Sequence, residues 1–213
     1  MSSSDTDLNA HGKAGYFPAP YSIDPLPKTI RYGLIPVGIL ASFSFASSLL
    51  LIVFIIFRTL KWRSYYRNFI GHNQYIMLVL NLVFADLQQS SAFLISFHWI
   101  RKDAILAPSP ACFAQGWLLH SGDVSSGFFV LAIAVHTYWT AVLGKRLSNT
   151  VFYTIIICIW LFAYFLTFVG VAMHSKDYFV RAGAWCWVSN KYENDRLGPV
   201  SYTHLTLPTT PYV

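Results

Sequence analysis

The stretch Gly33–Phe57, which reads GLIPVGILASFSFASSLLLIVFIIF, decides the fold of this chain because it contains no charged residue. A helix rises about 1.5 Å per residue and a bilayer has a hydrocarbon core about 30 Å thick, so a helix of this length crosses a membrane. Thr150–Met173 is a second stretch without a charge. Both stretches are predicted to be transmembrane helices.

Two further apolar stretches each carry one charged residue. His72–Ile100 contains Asp86, and Cys112–Leu143 contains Asp123. A charge in mid-membrane costs roughly 2.5–3.5 kcal/mol on insertion scales, which about twenty apolar neighbours offset. We therefore predict an all-α membrane protein, with a four-helix transmembrane region at 33–173 and spans at about 33–57, 74–99, 113–142 and 150–173.

The composition argues against a soluble domain. Hydrophobic residues make up 55% of the 213 residues and charged residues 11%, whereas about 25% charged is usual in soluble domains. The alternative, that each stretch is a buried helix of a soluble protein, leaves too few charges to cover the surface. The net charge of +6 is informative because of where the basic residues lie along the chain. We expect the lipid bilayer as a partner, and no nucleic acid.

The basic residues predict the orientation. The segments between spans one and two and between spans three and four contain no acid and hold Arg58, Lys61, Arg63, Arg67, Lys145 and Arg146. Short loops rich in Lys and Arg stay cytoplasmic. We therefore expect a multi-pass plasma-membrane protein with an extracellular N-terminus. Residues 1–32 are then a disordered extracellular tail and 174–198 the second extracellular loop, while 199–213 fit no span and are expected to be a non-native tail.

Two of the three cysteines lie on the side predicted to be extracellular. Cys112 stands at the start of span three and Cys186 in the segment after span four. Because that side is oxidising, the two are candidates for a disulfide, with two free thiols as the alternative. Cys158 lies inside span four, where packing is the expected role.

Three motifs resemble one receptor class. Span two reads Asn81-Leu-Val-Phe-Ala-Asp-Leu87, span three contains Gly122-Asp123, and Ala-Val-His-Thr-Tyr138 closes it. These runs resemble the seven-helix G-protein-coupled receptors, and most closely the carbon-source (glucose) receptors of fungi and the cyclic-AMP receptors of slime moulds. The resemblance implies an N-terminal fragment with four helices of a seven-helix bundle, truncated before the fifth. It also implies a small extracellular ligand, such as a nutrient, and a heterotrimeric G protein as partner.

The resemblance also implies roles for individual residues. Cys186 resembles the partner of Cys112, and Asn81 that of the Trp160 indole. The residues matching Asp86 and Ser126 help to bind sodium in rhodopsin-like receptors. The G-protein side is expected to comprise His136, Thr137, Tyr138, Lys145 and Arg146. Thr137 stands where rhodopsin-like receptors have arginine, so their ionic latch is absent or built differently here.

Polar residues inside the spans predict an internal polar core. Polar groups in a membrane helix face protein or water, and Gln115, Asp123, Ser126 and Thr137 fall near one stripe of span three at helical spacing. The side chains of this stripe either change their hydration between two states of the protein or hold the helices together through permanent hydrogen bonds. The predicted core comprises Asn81, Asp86, Asp123, Ser126 and Trp160.

His120 and Asp123 lie about one turn apart in span three. They are either a ligand-contacting pair or a hydrated pair beneath the outer loop, and with Gln115 they are the candidate ligand contacts. The sequence has no metal-ligand spacing, nucleotide loop or nucleophile–base pair, so we expect neither an enzyme nor a cofactor. The rival interpretations are a complete four-span scaffold or accessory protein, and part of a transporter or retinal protein.

Overall fold

The computed structural model describes residues 15–61, 73–145, 147–174 and 177–192. These residues are mostly helical, and four helical segments among them are long and apolar enough to cross a membrane. The four predicted spans are therefore confirmed as candidate membrane helices. The segment 199–213 lies outside the described residues.

The spans are formed by five helices. The first span is α1 (Lys28–Leu60), the second comprises α2 (Gln74–Leu94) and α3 (Ser96–Lys102), the third is α4 (Pro110–Ala141), and the fourth is α5 (Asn149–His174). The second span therefore runs beyond its predicted end at residue 99, with a break at Ile95. The Ile95 N–H bonds to the Ala92 carbonyl at 3.2 Å, a tighter three-residue turn than the α-helical one.

Local sequence explains where two of the helices begin. The Asn73 side chain accepts hydrogen bonds from the Tyr75 and Ile76 N–H groups at the start of α2. The Ser109 hydroxyl accepts from the Cys112 N–H at 3.2 Å at the start of α4, where Pro110 occupies the first turn. Such caps satisfy N–H groups that have no partner within the helix.

The central helix is α4. In the most apolar 18-residue stretch of α4, 39% of the residues are buried, whereas 6% are buried in the corresponding stretch of α1. α4 packs against α2 on one side and α5 on the other, while α1 packs against α2. Gly122 permits the close approach of α2, since a Cβ atom there would lie 2.7 Å from the Gln89 side chain and 3.3 Å from the Ala85 carbonyl oxygen.

Residues 15–27 form an ordered strap, which corrects the predicted disordered tail at 1–32. Ile23 and Ile105 exchange backbone hydrogen bonds of 2.9 and 3.0 Å, and Phe17 and Leu26 are buried in the cluster that contains Trp99. The prediction failed because it weighed the polar composition and not these few apolar anchors. Helix α1 accordingly begins at Lys28 and not at Gly33; residues 1–14 lie outside the described part.

A two-stranded hairpin follows α5, within the loop predicted at 174–198. Strand β1 (Phe179–Ala182) pairs antiparallel with β2 (Trp185–Val188). Gly183 turns the chain with a φ of 78°, a conformation that glycine adopts without strain. The strap, residues 103–109 and residues 177–192 together form what we call the disulfide end. The opposite end carries Lys61, Asn73 and residues 142–145 and 147–149.

Candidate functional site

The disulfide joins Cys112 at the start of α4 to Cys186 on β2, which confirms the predicted pair. Their Cα atoms lie 5.2 Å apart. Both residues are fully buried. The bond therefore holds the hairpin onto the first turn of the central helix.

The Arg181 side chain attaches the strap to this hairpin. The Arg181 guanidinium on β1 donates to the Pro20 carbonyl at 3.0 Å, and the Arg181 backbone N–H donates to the Tyr21 carbonyl at 3.2 Å. Burial lowers the pKa of the Arg181 guanidinium from its ordinary value, because a less hydrated cation is disfavoured. The strap and the hairpin thus form one ordered cover over the bundle.

Gln115 is a structural clamp, which corrects its assignment as a ligand contact. Its side-chain oxygen accepts from the Trp99 indole N–H at 2.8 Å and from the Cys186 backbone N–H at 2.9 Å. Its side-chain amide donates to the Ala92 carbonyl at 3.1 Å. The residue has no exposed surface, because these three bonds join α2, α3, α4 and β2 around it.

His120 and Asp123 do not form an accessible pair. His120 is 1% exposed, and its ring packs edge-on against Tyr178, with ring centroids 6.4 Å apart. Asp123 is partly exposed. Neither the ligand-contacting pair nor the hydrated pair therefore describes His120, whereas Asp123 stays accessible on its own.

Asp86 and Ser126 lie together between α2 and α4. The Ser126 hydroxyl lies close to the Asp86 carboxylate. Both side chains are partly exposed, so the carboxylate has one polar partner on the central helix and another side that remains accessible. Gly122 lies one turn before Ser126 and makes this approach of the two helices possible.

The accessible side of Asp86 faces a cavity of about 530 Å³ between α1 and α2, which is open along one side. Ser44 and Ser48 of α1 and Gln89 of α2 add polar groups to its wall, and Trp185 of β2 lines it at the disulfide end. The cavity therefore reaches from the hairpin to the middle of the second span. Its volume lies within the usual range of about 300–1,000 Å³ for small-molecule sites.

The Trp160 indole N–H on α5 donates to the Asn81 side chain on α2 at 2.8 Å, the contact that the resemblance implied. The Asn81 amide in turn donates to the Met77 carbonyl at 2.7 Å. Phe84 and Phe129 place their ring centroids 5.5 and 5.4 Å from that of Trp160. This contact ties the second span to the fourth without using the cavity.

Gln88 is a polar contact that the sequence analysis missed. Its side-chain oxygen lies 3.2 Å from the Ser121 hydroxyl on α4 and 3.3 Å from the Tyr164 hydroxyl on α5, and both hydroxyls donate to it. One signal was available: an amide side chain within an apolar span faces protein or water. Helical spacing groups Asp86 with Gln89 on the neighbouring face of the helix instead.

The residues predicted to face a G protein differ in their exposure at the opposite end of α4. His136 is 7% exposed, and its ring packs 5.9 Å from that of Phe152 on α5. His136 is therefore a packing residue between two helices, which corrects its assignment to a partner-facing surface. Helix α5 packs against this face of α4 and buries it.

Thr137, Tyr138 and Lys145 are exposed at the opposite end. Thr137 donates its hydroxyl to the Ile133 carbonyl of its own helix at 2.7 Å, and Tyr138 is 58% exposed. These three residues remain available to a partner. Arg146 lies outside the described residues.

Among the described residues, no group of three or more His, Cys, Asp or Glu side chains is arranged to hold a metal ion. Comparison with protein-family models and with curated proteins finds no match. The resemblance to nutrient receptors consequently rests on the motifs quoted above.

Proposed function

We propose that this chain forms the first four spans of a seven-helix, G-protein-coupled receptor that senses a small extracellular molecule. The contact between the Ser126 hydroxyl and the Asp86 carboxylate carries the proposal. It joins the wall of the cavity to the central helix, whose opposite end carries the exposed residues Thr137 and Tyr138. A ligand in the cavity would therefore act directly on the helix that reaches the G protein.

In this proposal the disulfide end is extracellular and the chain lies in the plasma membrane. The disulfide between Cys112 and Cys186 fits an oxidising compartment. Arg58, Lys61 and Lys145 cluster toward the opposite end, where basic residues favour the cytoplasmic side. Trp185 then lies at the mouth of the cavity, on the side from which a ligand arrives.

The switching step is a shift between two arrangements of α2 and α4. A ligand changes such an equilibrium only as far as it binds one arrangement more tightly than the other. A ligand group that bonds to Asp86 competes with the Ser126 hydroxyl or reinforces it, which changes the contact between the helices. Asp123 adds a second carboxylate on α4 that a ligand or water can reach.

A four-span scaffold is the second candidate function. The hydrogen bonds of Gln115, Gln88 and Asn81 favour it, because they hold the described helices in one arrangement. In a scaffold the contact between Asp86 and Ser126 would be permanent. The two functions differ in whether a small molecule changes the state of a G protein.

The test is nucleotide exchange on a G protein. The chain, extended to seven spans from its native locus, is expressed in a host lacking its own receptor, and membranes are mixed with a heterotrimeric G protein and a panel of sugars and other small nutrients. The proposal predicts ligand-dependent exchange that membranes without the chain do not support. Exchange that no panel member changes, in membranes where the protein is folded and disulfide-bonded, favours the scaffold.

A further inference from the structure

We propose that the cavity between α1 and α2 binds a small organic ammonium ion with an apolar body. The wall formed by α1 contributes Val37, Leu40 and Ala41, with Ser44 and Ser48 farther along the helix. The wall formed by α2 contributes Asp86 at its deeper end. One end of the cavity is therefore polar and the other apolar, which matches a ligand with one charged and one apolar end.

Charge determines the polar end of this ligand. Asp86 is the one charged side chain among the described residues that line the cavity. A carboxylate within a span is costly unless a partner compensates for it. The Ser126 hydroxyl lies near the carboxylate, which has about four acceptor positions. An ammonium group donates up to three hydrogen bonds and carries the complementary charge, so it suits the positions that remain.

Aromatic rings determine the apolar end. Phe93 of α2 and Trp185 of β2 both line the cavity, and their rings meet edge to face with centroids 5.5 Å apart. The ring faces attract apolar groups and cations. The carbon skeleton of the ligand is expected to lie between these rings and Leu40.

The volume favours an organic ligand over an inorganic ion. The cavity measures about 530 Å³, and one water occupies about 30 Å³ of liquid. A bare sodium ion would leave most of this space to water beside apolar walls. An arylalkylammonium ion, in contrast, fills both ends of the cavity.

This inference specifies the ligand class of the proposed receptor, and its biological meaning rests on that proposed function. The binding itself is measured without a G protein. Loss of binding with nucleotide exchange intact would overturn this inference alone. Binding without any exchange would count against the receptor function alone.

The experiment measures binding of tritiated 2-phenylethylammonium to the purified full chain in lipid nanodiscs, by scintillation proximity. The competitors are unlabelled 2-phenylethanol, which has the same body without the charge, and sodium chloride balanced against potassium chloride. The inference predicts saturable binding at one site, with the alcohol competing at least tenfold more weakly than the unlabelled amine. Equal competition by the alcohol, or complete displacement by sodium at millimolar concentration, would overturn it.

Two pairs of variants locate the site. Asp86→Asn removes the charge and is expected to weaken binding at least tenfold, whereas Asp24→Asn removes an exposed carboxylate outside the cavity lining and changes binding less than twofold. Ser44→Phe fills the cavity and is expected to abolish binding, whereas Ser47→Phe alters a neighbouring exposed serine outside the lining and does not. Melting curves establish whether each variant is folded. Should Asp86→Asn fail to fold, the comparison of Ser44→Phe with Ser47→Phe tests the site. Unchanged binding in Ser44→Phe would place the ligand elsewhere.

Discussion

The side-chain oxygen of Gln115 accepts the backbone N–H of Cys186 at 2.9 Å. The hydrogen bond lies beside the disulfide that joins the same strand to the same helix. The hairpin is therefore attached to α4 twice, once covalently and once through an amide that also binds Trp99 and Ala92. The disulfide end owes its order to this pair of attachments.

Replacing Gln115 should destabilise the protein more than replacing a glutamine at the opposite end. Gln115→Leu leaves the buried Trp99 and Cys186 donors without their acceptor, at about 1–3 kcal/mol each, so we expect the free energy of unfolding to fall by at least about 2 kcal/mol. Gln74→Leu removes bonds to Leu147 and Asn149 that water can replace. Fluorescence-detected melting in nanodiscs compares the two, and equal losses would contradict the clamp.

Removing the disulfide should destabilise the folded state. The cross-link closes a loop with a sequence separation of 74, for which the chain-entropy model gives up to about 4 kcal/mol. Cys186→Ser should therefore lower the melting temperature, while Cys158→Ser alters an exposed free cysteine and should change it little. Peptide mapping without reductant provides the direct check. Detection of Cys112 and Cys186 as free thiols in mature membrane protein would refute the bond.

Glycosylation should occur near the N-terminus and not in the loop before α5. His11→Ser makes Asn9 an acceptor, since it completes an Asn-x-Ser sequence. A second variant carries an Asn-Gly-Ser acceptor between flexible spacers after Gly144. Because basic loops stay cytoplasmic, only the first variant should gain a glycosidase-sensitive mass. Modification of the second variant alone would reverse the orientation.

Asn81 and Trp160 should be energetically coupled. Hydrogen bonds between membrane helices contribute about 0.6 kcal/mol on average and up to about 1.7 kcal/mol in double-mutant cycles. A cycle of Asn81→Ala and Trp160→Phe should give a coupling energy in that range. The control cycle pairs Asn81→Ala with Thr154→Ala, whose hydroxyl bonds within its own helix to Thr150. Coupling that is no larger than in the control would show that the contact at 2.8 Å adds no stability.

The spans could be predicted from the sequence because the cost of a charge in lipid is large compared with other local preferences. Uncharged stretches such as Gly33–Phe57 leave few alternatives. The ends of the helices were harder to predict. They depend on capping residues such as Asn73 and Ser109 as well as on the length of the apolar stretch. The start of α1 at Lys28 reflects this limit.

The neighbours of individual side chains were harder to predict. Helical spacing placed Gln115 on a polar stripe, but it gave no sign that Trp99 and Cys186 would meet there. The strap was missed for a similar reason, because the pairing of Ile23 with Ile105 joins segments far apart in the sequence. Such contacts depend on how the helices are arranged at the disulfide end.

The link between the cavity and α4 is tested most directly by two neighbouring serines. The Ser126 hydroxyl lies close to Asp86 on α2, whereas Ser125 is buried and donates its hydroxyl only within α4, to Ser121 and Gly122. The measurement is ligand-dependent nucleotide exchange in the seven-span protein, with surface expression matched between variants. Ser126→Ala should lower the potency of the activating nutrient at least tenfold, and Ser125→Ala should leave it within about twofold of the parent, since roughly 1.4 kcal/mol corresponds to tenfold. A Ser126→Ala variant with the potency of the parent protein would contradict the proposed route from the cavity to the G protein.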